Sequence, residues 1–308
     1  NAKQSNASNI LYAGIQASDA NTLATTLPTS SANKLAITIS GPSAAASDLT
    51  TLLGTVESTV SINAENITII TGTTGEMETF ISSVSRFTTD GANRPEDNYT
   101  FTPSSSSQSA SNLNSLNSNA TNIDLTNVTA LAGSSLSDLE TLASAINANE
   151  FSNDSGLTTI AVTDTTIDAT TLASTIDSYD AIGGTTDMTL ASGATINVDA
   201  GEITEMLTDE SAGRLTIVDQ VITVNGATTV DNANLLGATT TGKLTATIAT
   251  TETVTELATL SADGGTNDLT IVIRAADATV STAAQLNTIN ATTAVAVDLT
   301  NVTALAGS

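Results

Sequence analysis

The side chains best suited to chemistry in this sequence lie in one acidic stretch. Asp90, Asn93, Glu96 and Asp97 are close neighbours there, and carboxylate and amide oxygens are the ligands that calcium takes in sets of about 6–8. Their spacing matches neither the EF-hand loop nor the glycine-rich nonapeptide repeat. A solvated acidic loop in which Arg94 is the internal partner is the competing interpretation. Calcium is therefore the one cofactor for which the sequence offers candidate ligands.

The composition gives little support to catalysis. The chain has no His and no Cys, which removes the usual general base at neutral pH, the thiolate nucleophile and any disulfide. Only Lys3, Lys34 and Lys243 could activate a serine, and none stands near a G-x-S-x-G turn. Carboxylate pairs of the glycosidase kind will arise by chance among 32 acidic residues. We therefore expect that the protein is not an enzyme; a polysaccharide-degrading solenoid is the remaining catalytic alternative.

The charge balance excludes several classes of partner. With 32 acidic and 7 basic side chains the net charge is -25, so nucleic-acid phosphates and anionic membrane surfaces repel the chain. No run approaches the ~18 apolar residues of a membrane span. We therefore expect neither nucleic-acid binding nor membrane insertion. The first residue, Asn1, follows no Met or apolar leader, which is typical of a processed or excised chain.

One stretch of the chain is present twice. Asp124–Ser134, DLTNVTALAGS, recurs without change at Asp298–Ser308. An internal identity of this length indicates a repeat protein. Aromatic residues make up only 2% of the chain, and this composition suits a thin core between closely stacked repeats better than a bulky globular core.

Strands and helices are predicted to alternate. In Lys34–Gly41, Leu35, Ile37 and Ile39 alternate with small or polar residues, as in a half-buried strand; Ser43–Ser58 then has helical spacing. Such pairs recur about every 25 residues, and parallel strands joined in this way take right-handed crossovers. The predicted fold is α/β, a parallel solenoid of strand-plus-short-helix coils; an all-β parallel solenoid is the alternative. Further predicted helices include Gly75–Phe87, Gln108–Asn119, Ser135–Ala148, Asp168–Ile182, Gly201–Gly213, Val230–Thr240, Thr251–Asp263 and Val280–Thr293, and the last predicted strand is Ala294–Thr300.

The repeat rhythm divides the chain into four parts. Residues 1–31 are polar and predict an N-terminal arm or cap, and residues 32–85 predict solenoid coils. Residues 86–107, RFTTDGANRPEDNYTFTPSSSS, interrupt the rhythm and predict a surface loop inserted between coils; a binding loop or a junction between two solenoid halves is the alternative. Residues 108–308 predict further coils that end without a cap.

Two stretches carry a resemblance to a known family. DLTNVTALAGSSLSDLETLASAIN, beginning at Asp124, and TTIDATTLASTIDSYDAIGG, Thr165–Gly184, resemble the large secreted Thr/Ala/Asp-rich repeat proteins on the surface of marine picocyanobacteria. Those proteins string together units of the form D-A-x-x-(L/V)-T-x-L-x-G, which Asp199–Leu207 and Asp298–Gly307 also resemble. Similar units occur in other bacterial adhesins and in phage fibres. The resemblance implies an extracellular, structural role and transfers no catalytic residue.

These observations together predict a mechanical function. We expect an extracellular or cell-surface repeat protein that self-assembles into a fibre, sheath or surface layer, with a calcium- or glycan-binding adhesin module as the alternative. The second copy of the motif lacks the helix that follows the first. We therefore expect either head-to-tail contact with copies of the chain itself or continuation of the sequence at the Ser308 end. Surface polysaccharide is a further candidate, since the outward strand positions are mostly Thr, Ser, Asn and Asp. The sequons, among them Asn66, Asn127 and Asn301, are attributed to composition rather than to glycosylation, and Asn127 and Asn301 also fit turns that end a strand.

Overall fold

Short strands and short helices alternate wherever the structure describes the chain. The structure is a computed structural model that describes residues 10–19, 22–23, 35–56, 60–89, 92–93, 99–182, 186–261 and 267–307. It divides into two compact units, Asn1–Ala132 with Ser137–Thr158, and Gly133–Leu136 with Thr159–Ser308. Both units have parallel sheets with short helices between the strands. The α/β class predicted from the sequence is therefore confirmed.

Almost all described strands of the first unit pair in parallel. They are β1 (Ile10–Ile15), β2 (Leu35–Ile39), β3 (Ser43–Ala45), β4 (Ile62–Asn63), β5 (Ile69–Gly72), β6 (Phe87–Thr89), β7 (Ala92–Asn93), β8 (Thr100–Pro103), β9 (Ser107–Gln108), β10 (Ile123–Asp124), β11 (Ala130–Ser134) and β12 (Phe151–Ser152). One sheet has the order β1-β2-β4-β6-β7, a second has the order β3-β5-β8-β10-β12, and β9 pairs with β11. The β6–β7 hairpin is antiparallel.

The second unit has the same construction. Its strands are β13 (Thr159–Val162), β14 (Thr166–Asp168), β15 (Asp187–Thr189), β16 (Thr195–Asp199), β17 (Leu215–Thr216), β18 (Val221–Thr228), β19 (Leu244–Ile248) and β20 (Asp268–Thr270). They pair in parallel in the orders β13-β15-β17 and β14-β16-β18-β19-β20. Each strand thus pairs with its counterpart about 25 residues further along the chain, the separation of a repeat array.

Polar caps explain why segments rich in Thr, Ser and Asn still form helices. The helices are α1 (Ala46–Thr55), α2 (Thr74–Ile81), α3 (Ala110–Asn117), α4 (Leu136–Asn147), α5 (Ala169–Ile182), α6 (Ile203–Ser211), α7 (Val230–Thr239), α8 (Val254–Leu257) and α9 (Ala283–Asn290). Thr73, Thr253 and Thr282 begin capping boxes at α2, α8 and α9. The hydroxyls of Ser109 and Thr229 accept a backbone N–H at the start of α3 and α7. Each cap satisfies donors that the first helical turn leaves unpaired.

The core consists of aliphatic ladders that run from strand to strand in register. In the second unit one ladder has members that are at most 1% exposed: Ile167, Ile196, Ile222 and Leu244. The neighbouring outward row in the same strands is polar: Asp168, Asn197, Thr223, Thr245 and Asp268. The first unit has a mixed ladder of buried residues: Ala44, Ile70, Phe101, Ile123 and Phe151. Aliphatic side chains therefore fill most of the core, and Phe101 and Phe151 add aromatic rings to it in the first unit.

Some predicted boundaries were wrong where a strand lies directly beside a helix. The helix predicted at Ser43–Ser58 begins only after β3, because β3 is held in register with β5. The helix predicted at Gly75–Phe87 ends with α2, because Phe87 begins β6 and pairs with β4. The strand predicted at Ala294–Thr300 is reduced to one parallel bridge between Val272 and Asp298.

The segment 86–107 contributes strands to the sheets of the first unit. β6 pairs with β4, and β8 pairs with β5 over all four of its residues, Thr100–Pro103. Residues 90–91 and 94–98 of this segment fall outside the described residues. Of the predicted N-terminal arm, the structure describes β1, a 3-10 turn at Ala17–Asp19, and residues 22–23; β1 is a sheet strand beside β2.

Candidate functional site

Most of the predicted calcium ligands lie outside the described residues. This is the case for Asp90, Glu96 and Asp97. Asn93 is in β7, where it pairs with Thr88 across the hairpin. Within the described residues, no group of three or more His, Cys, Asp or Glu side chains could hold a metal ion. The calcium site remains a prediction that the structure does not test.

The aromatic residues at the base of this hairpin belong to the core. Phe80, Phe87, Tyr99 and Phe101 are each at most 1% exposed. The Phe80 ring lies 5.0 Å from that of Phe87 and 5.4 Å from that of Tyr99, centroid to centroid. Tilted and edge-on aromatic pairs at such distances stabilise a core. These rings therefore anchor the strands on both sides of the hairpin.

The repeated DLTN sequence forms a turn that joins one coil to the coil before it. A carboxylate oxygen of Asp124 accepts the backbone N–H of Thr126 at 2.9 Å, and the N–H of Val128 donates to the carbonyl of Leu125 at 2.8 Å. The side-chain amide of Asn127 donates to the carbonyl of Pro103 in the preceding coil at 3.2 Å. The motif is therefore a turn that follows β10.

The same turn is present in two other coils. Asn66 donates to the carbonyl of Ile39 at 3.3 Å, and Asn301 donates to that of Ile273 at 2.8 Å. The residue three positions before each Asn, Asn63 or Asp298, accepts a backbone N–H in the same way as Asp124. These Asn side chains have a structural role between coils. Glycan attachment at Nδ2 would replace one of the donor hydrogens, which supports reading these sequons as structural.

The repeat extends further back than the eleven identical residues. Ser109 and Thr282 are the N-caps of α3 and α9, and over the nine residues that begin at each cap the sequences SASNLNSLN and TAAQLNTIN correspond position by position. Each places an Asn fifth and eighth after the cap. We call residues 109–134 the inner coil and residues 282–307 the outer coil. The signal for this extended repeat was present in the sequence but is weaker than the eleven-residue identity.

The inner coil is bonded to the coil that follows it, residues 138–158. In α3, the Asn114 amide donates to the carbonyl of Asp138 at 2.9 Å, and the Asn117 amide donates to the Glu150 carboxylate at 2.5 Å. Three further hydrogen bonds lie at the turn. The N–H of Leu125 donates to the carbonyl of Ser152 at 2.8 Å, and the amide of Asn153 donates to the carboxylate of Asp124 at 2.9 Å. The N–H of Thr158 donates to the carbonyl of Thr129 at 3.0 Å. Backbone and side chains thus both bond to the next coil.

The outer coil presents the same residues to solvent. Leu125, Val128 and Leu131 of the inner coil are 0%, 0% and 1% exposed, whereas Leu299 and Leu305 of the outer coil are 43% and 57% exposed. Asn287 and Asn290, the counterparts of the two bonded helix asparagines, are exposed as well. Ile289 is fully buried. The outer coil therefore contacts the coil that precedes it, whereas its opposite face is exposed to solvent. We call this open surface, formed by Asn287, Asn290, Leu299, Val302 and Leu305, the end face.

The most strongly coupled charges lie between α5 and α6 in the second unit. Arg214 donates to Asp180 at 2.7 Å and also to Asp209, whose residue is 2% exposed. Burial raises the pKa of Asp209 above its usual range, with Arg214 opposing this rise and Asp177 adding to it. An arginine that bonds two carboxylates in this way holds two helices together.

A pocket lies in the first unit between α3 and α4. Its volume is about 340 Å³, and its lining consists of Asn114, Asn117, Ser118, Thr141, Ser144, Ala145 and Glu150. Asn114 Oδ1 is buried there and has no hydrogen-bond partner among the described residues. Glu150 is the one charged residue of the lining, so the pocket suits a neutral or cationic ligand with hydroxyl groups.

Among the described residues, no helix is both long and apolar enough to cross a membrane. The comparisons with known proteins give no further identification. No protein-family model matches the chain, and no curated protein or solved structure matches it either. The geometry of the coils is therefore the basis for any statement about function.

Proposed function

We propose that this chain is an extracellular structural repeat protein, a parallel solenoid whose coils stack and which self-assembles into a fibre, sheath or surface layer. The observation that carries the proposal is the in-register aliphatic ladder Ile167–Ile196–Ile222–Leu244, in which every member lies at the same place in its coil. A coil of this kind buries its core only against its neighbours. Such a protein grows by adding coils along one direction.

The side chains used between coils are the second support. Asn66, Asn127 and Asn301 each bond a carbonyl of the preceding coil. Polar residues that recur once in each coil therefore bond one coil to the next. In a repeat enzyme we would expect such residues to line a catalytic cleft instead. The sequence contains no His or Cys, which agrees with a mechanical role.

The extracellular location rests on composition and on the resemblance to secreted repeat proteins. A net charge of -25 with no Cys suits a surface that stays hydrated in salt water and needs no disulfide. Divalent cations and salt should screen this charge and promote contact between copies.

The test is electron microscopy and light scattering of the purified 308-residue chain. We expect filaments, sheets or layers, and more scattering as salt or CaCl₂ is added at neutral pH. Adding a chelator at constant ionic strength separates calcium binding from the general screening of charge. Loss of assembly under this condition supports calcium binding at Asp90, Asn93, Glu96 and Asp97. Isolated particles under all salt, calcium and pH conditions would contradict self-assembly.

A glycan-binding adhesin module is the second candidate, and the pocket between α3 and α4 favours it. The unpartnered Oδ1 of Asn114 could accept a hydroxyl hydrogen of a neutral sugar. NMR titration with neutral monosaccharides, comparing the wild type with Ser144→Val, tests this. Saturable shifts that the variant loses would support the pocket; identical, non-saturating shifts in both would eliminate it.

A further inference from the structure

The hydroxyl groups that line the pocket between α3 and α4 all donate their hydrogens within the protein. In α4, Thr141 donates to the carbonyl of Ser137 at 2.9 Å, and Ser144 donates to that of Glu140 at 2.8 Å. At the end of α3, the Ser118 hydroxyl donates to the carbonyl of one residue of the last helical turn, Ser115, at 2.7 Å. A hydroxyl group has one hydrogen, so these three side chains can offer a ligand only oxygen lone pairs.

The two asparagine amides of the lining also donate within the protein. Asn114 donates to the carbonyl of Asp138 at 2.9 Å, and Asn117 donates to the carboxylate of Glu150 at 2.5 Å. The Oδ1 atom of Asn114 is buried and has no hydrogen-bond partner among the described residues, so its partial negative charge is not offset. The lining is therefore rich in acceptors.

Glu150 is held at the pocket by the way in which α4 ends. The N–H groups of Asn149 and Glu150 donate to the carbonyls of Ile146 and Ala145 at 2.9 and 3.1 Å, which is the Schellman pattern of a helix C-terminus. Asn149 has the left-handed conformation that this pattern requires, with a φ of 60°. The turn places the Glu150 carboxylate in the lining, where the Asn117 amide bonds it.

The position of this carboxylate favours a positively charged ligand. Asn117 is the last residue of α3, and Ser144 and Ala145 lie in the last turn of α4. The negative ends of two helix dipoles are therefore close to the pocket, and such ends favour cations and disfavour carboxylates. Among the described residues, no Lys or Arg forms an ion pair with Glu150. A bound cation would offset the charge of Glu150 and of both helix ends.

On this basis we infer that the pocket binds the primary ammonium group of an amino sugar. An ammonium group has three donors and no acceptor, which matches a lining of hydroxyl oxygens and one carboxylate. A divalent metal fits less well, because it takes more charged oxygens than a single carboxylate supplies. The volume of about 340 Å³ is at the lower end for ligand pockets and suits one sugar ring. The inference rests on the second candidate function, glycan binding, and names the class of sugar.

The test is an NMR titration of the full chain with glucosamine, N-acetylglucosamine and glucose, which differ at one substituent of the ring. At about pH 6 an amine is protonated and a solvent-exposed carboxylate is charged. At constant ionic strength we expect saturable shifts at Asn117, Ser144 and Glu150 with glucosamine. The two uncharged sugars should bind about tenfold or more weakly, because a charge-assisted hydrogen bond is about twice as strong as a neutral one.

Two carboxylate variants separate the pocket from the general attraction of an acidic chain for cations. Glu150→Gln removes the charge and keeps an oxygen that can accept the Asn117 amide, and it should weaken glucosamine binding by about tenfold or more. Glu140→Gln is the matched control: it removes the same charge from an exposed position of α4 outside the lining. This control variant should bind glucosamine like the wild type.

Three outcomes would overturn the inference. Equal weakening in both variants, or glucosamine shifts that never saturate, would mean that the chain attracts cations only as counter-ions. Equal saturable binding of glucose and glucosamine by the wild type would remove the role of the ammonium group, whereas glycan binding at the pocket would stand. The absence of saturable shifts with all three sugars would remove both the inference and the glycan-binding candidate.

Discussion

The energetic role of the aliphatic ladder can be measured at Ile222. This side chain is 0% exposed and lies between Ile196 and Leu244 in the neighbouring strands. Ile222→Ala removes three carbons, or about 2.4 kcal/mol at about 0.8 kcal/mol for each buried carbon. Because hydrogen-bonded strands on both sides hold the neighbours in place, the cavity cannot collapse fully. We therefore expect a total loss of about 3–4 kcal/mol, within the usual range for such truncations.

The assay is urea unfolding of the monomeric chain followed by circular dichroism. Ile222→Val removes one carbon and should lose about 0.5–1.5 kcal/mol. Thr223→Ala, the next residue in the outward row, should change stability by less than about 0.5 kcal/mol. A graded loss for the two Ile222 variants with a near-neutral Thr223→Ala supports a one-faced core. Equal losses at Ile222 and Thr223 would mean that both faces of the sheet are buried, and the reasoning would be refuted.

Three further predictions concern the joints, the caps and the charges. Asn127→Asp replaces the donor to the preceding coil with an acceptor and should lower the free energy of unfolding by about 1–3 kcal/mol in urea melts. Thr253→Ala removes the capping box of α8 and should lower stability by about 1 kcal/mol, whereas Thr255→Ala, exposed on the same helix, should be neutral. In NMR titrations Asp209 should protonate at a higher pH than Asp298, because burial raises the pKa of Asp209 and the N–H of Thr300 lowers that of Asp298. The stabilisation from Asp298 is accordingly present above its unfolded pKa and lost as the pH falls through its folded pKa. The raised pKa of Asp209 favours the folded state below its unfolded pKa, and this contribution is lost as the pH rises through its folded pKa. Identical titration midpoints would contradict this assignment.

The α/β class and the repeat rhythm could be predicted because they depend on local patterns. Alternation in Lys34–Gly41 predicted β2, and helical spacing in Ser135–Ala148 predicted α4 almost to the residue. The strand β3 was missed because three small residues, Ser43–Ala45, have no periodicity of their own. Their conformation depends on pairing with β5, a contact that is distant in sequence.

The joints and the end face show two different limits of sequence reasoning. The turn at Asn127 could be predicted, since Asn is favoured where a strand ends in a turn. Its bond to the carbonyl of Pro103 in the preceding coil was missed, although an Asn stands three residues after an Asp or Asn in each DLTN-like turn. The exposure of Leu305 could not be found from its own segment, because the identical segment at Leu131 is buried. Burial in a repeat array depends on whether a neighbouring coil is present.

In-register stacking of successive coils is tested most directly by disulfide formation, since the chain has no cysteine of its own. Asn197 and Thr223 are registered neighbours in β16 and β18, whereas Asn225 is opposite Asp199. The double variant Asn197→Cys with Thr223→Cys should oxidise readily, because registered strand neighbours lie within the distance that a disulfide spans. Asn197→Cys with Asn225→Cys should stay largely reduced under the same mild oxidant. Equal oxidation of both pairs, or faster oxidation of the second, would contradict the stacking of these coils.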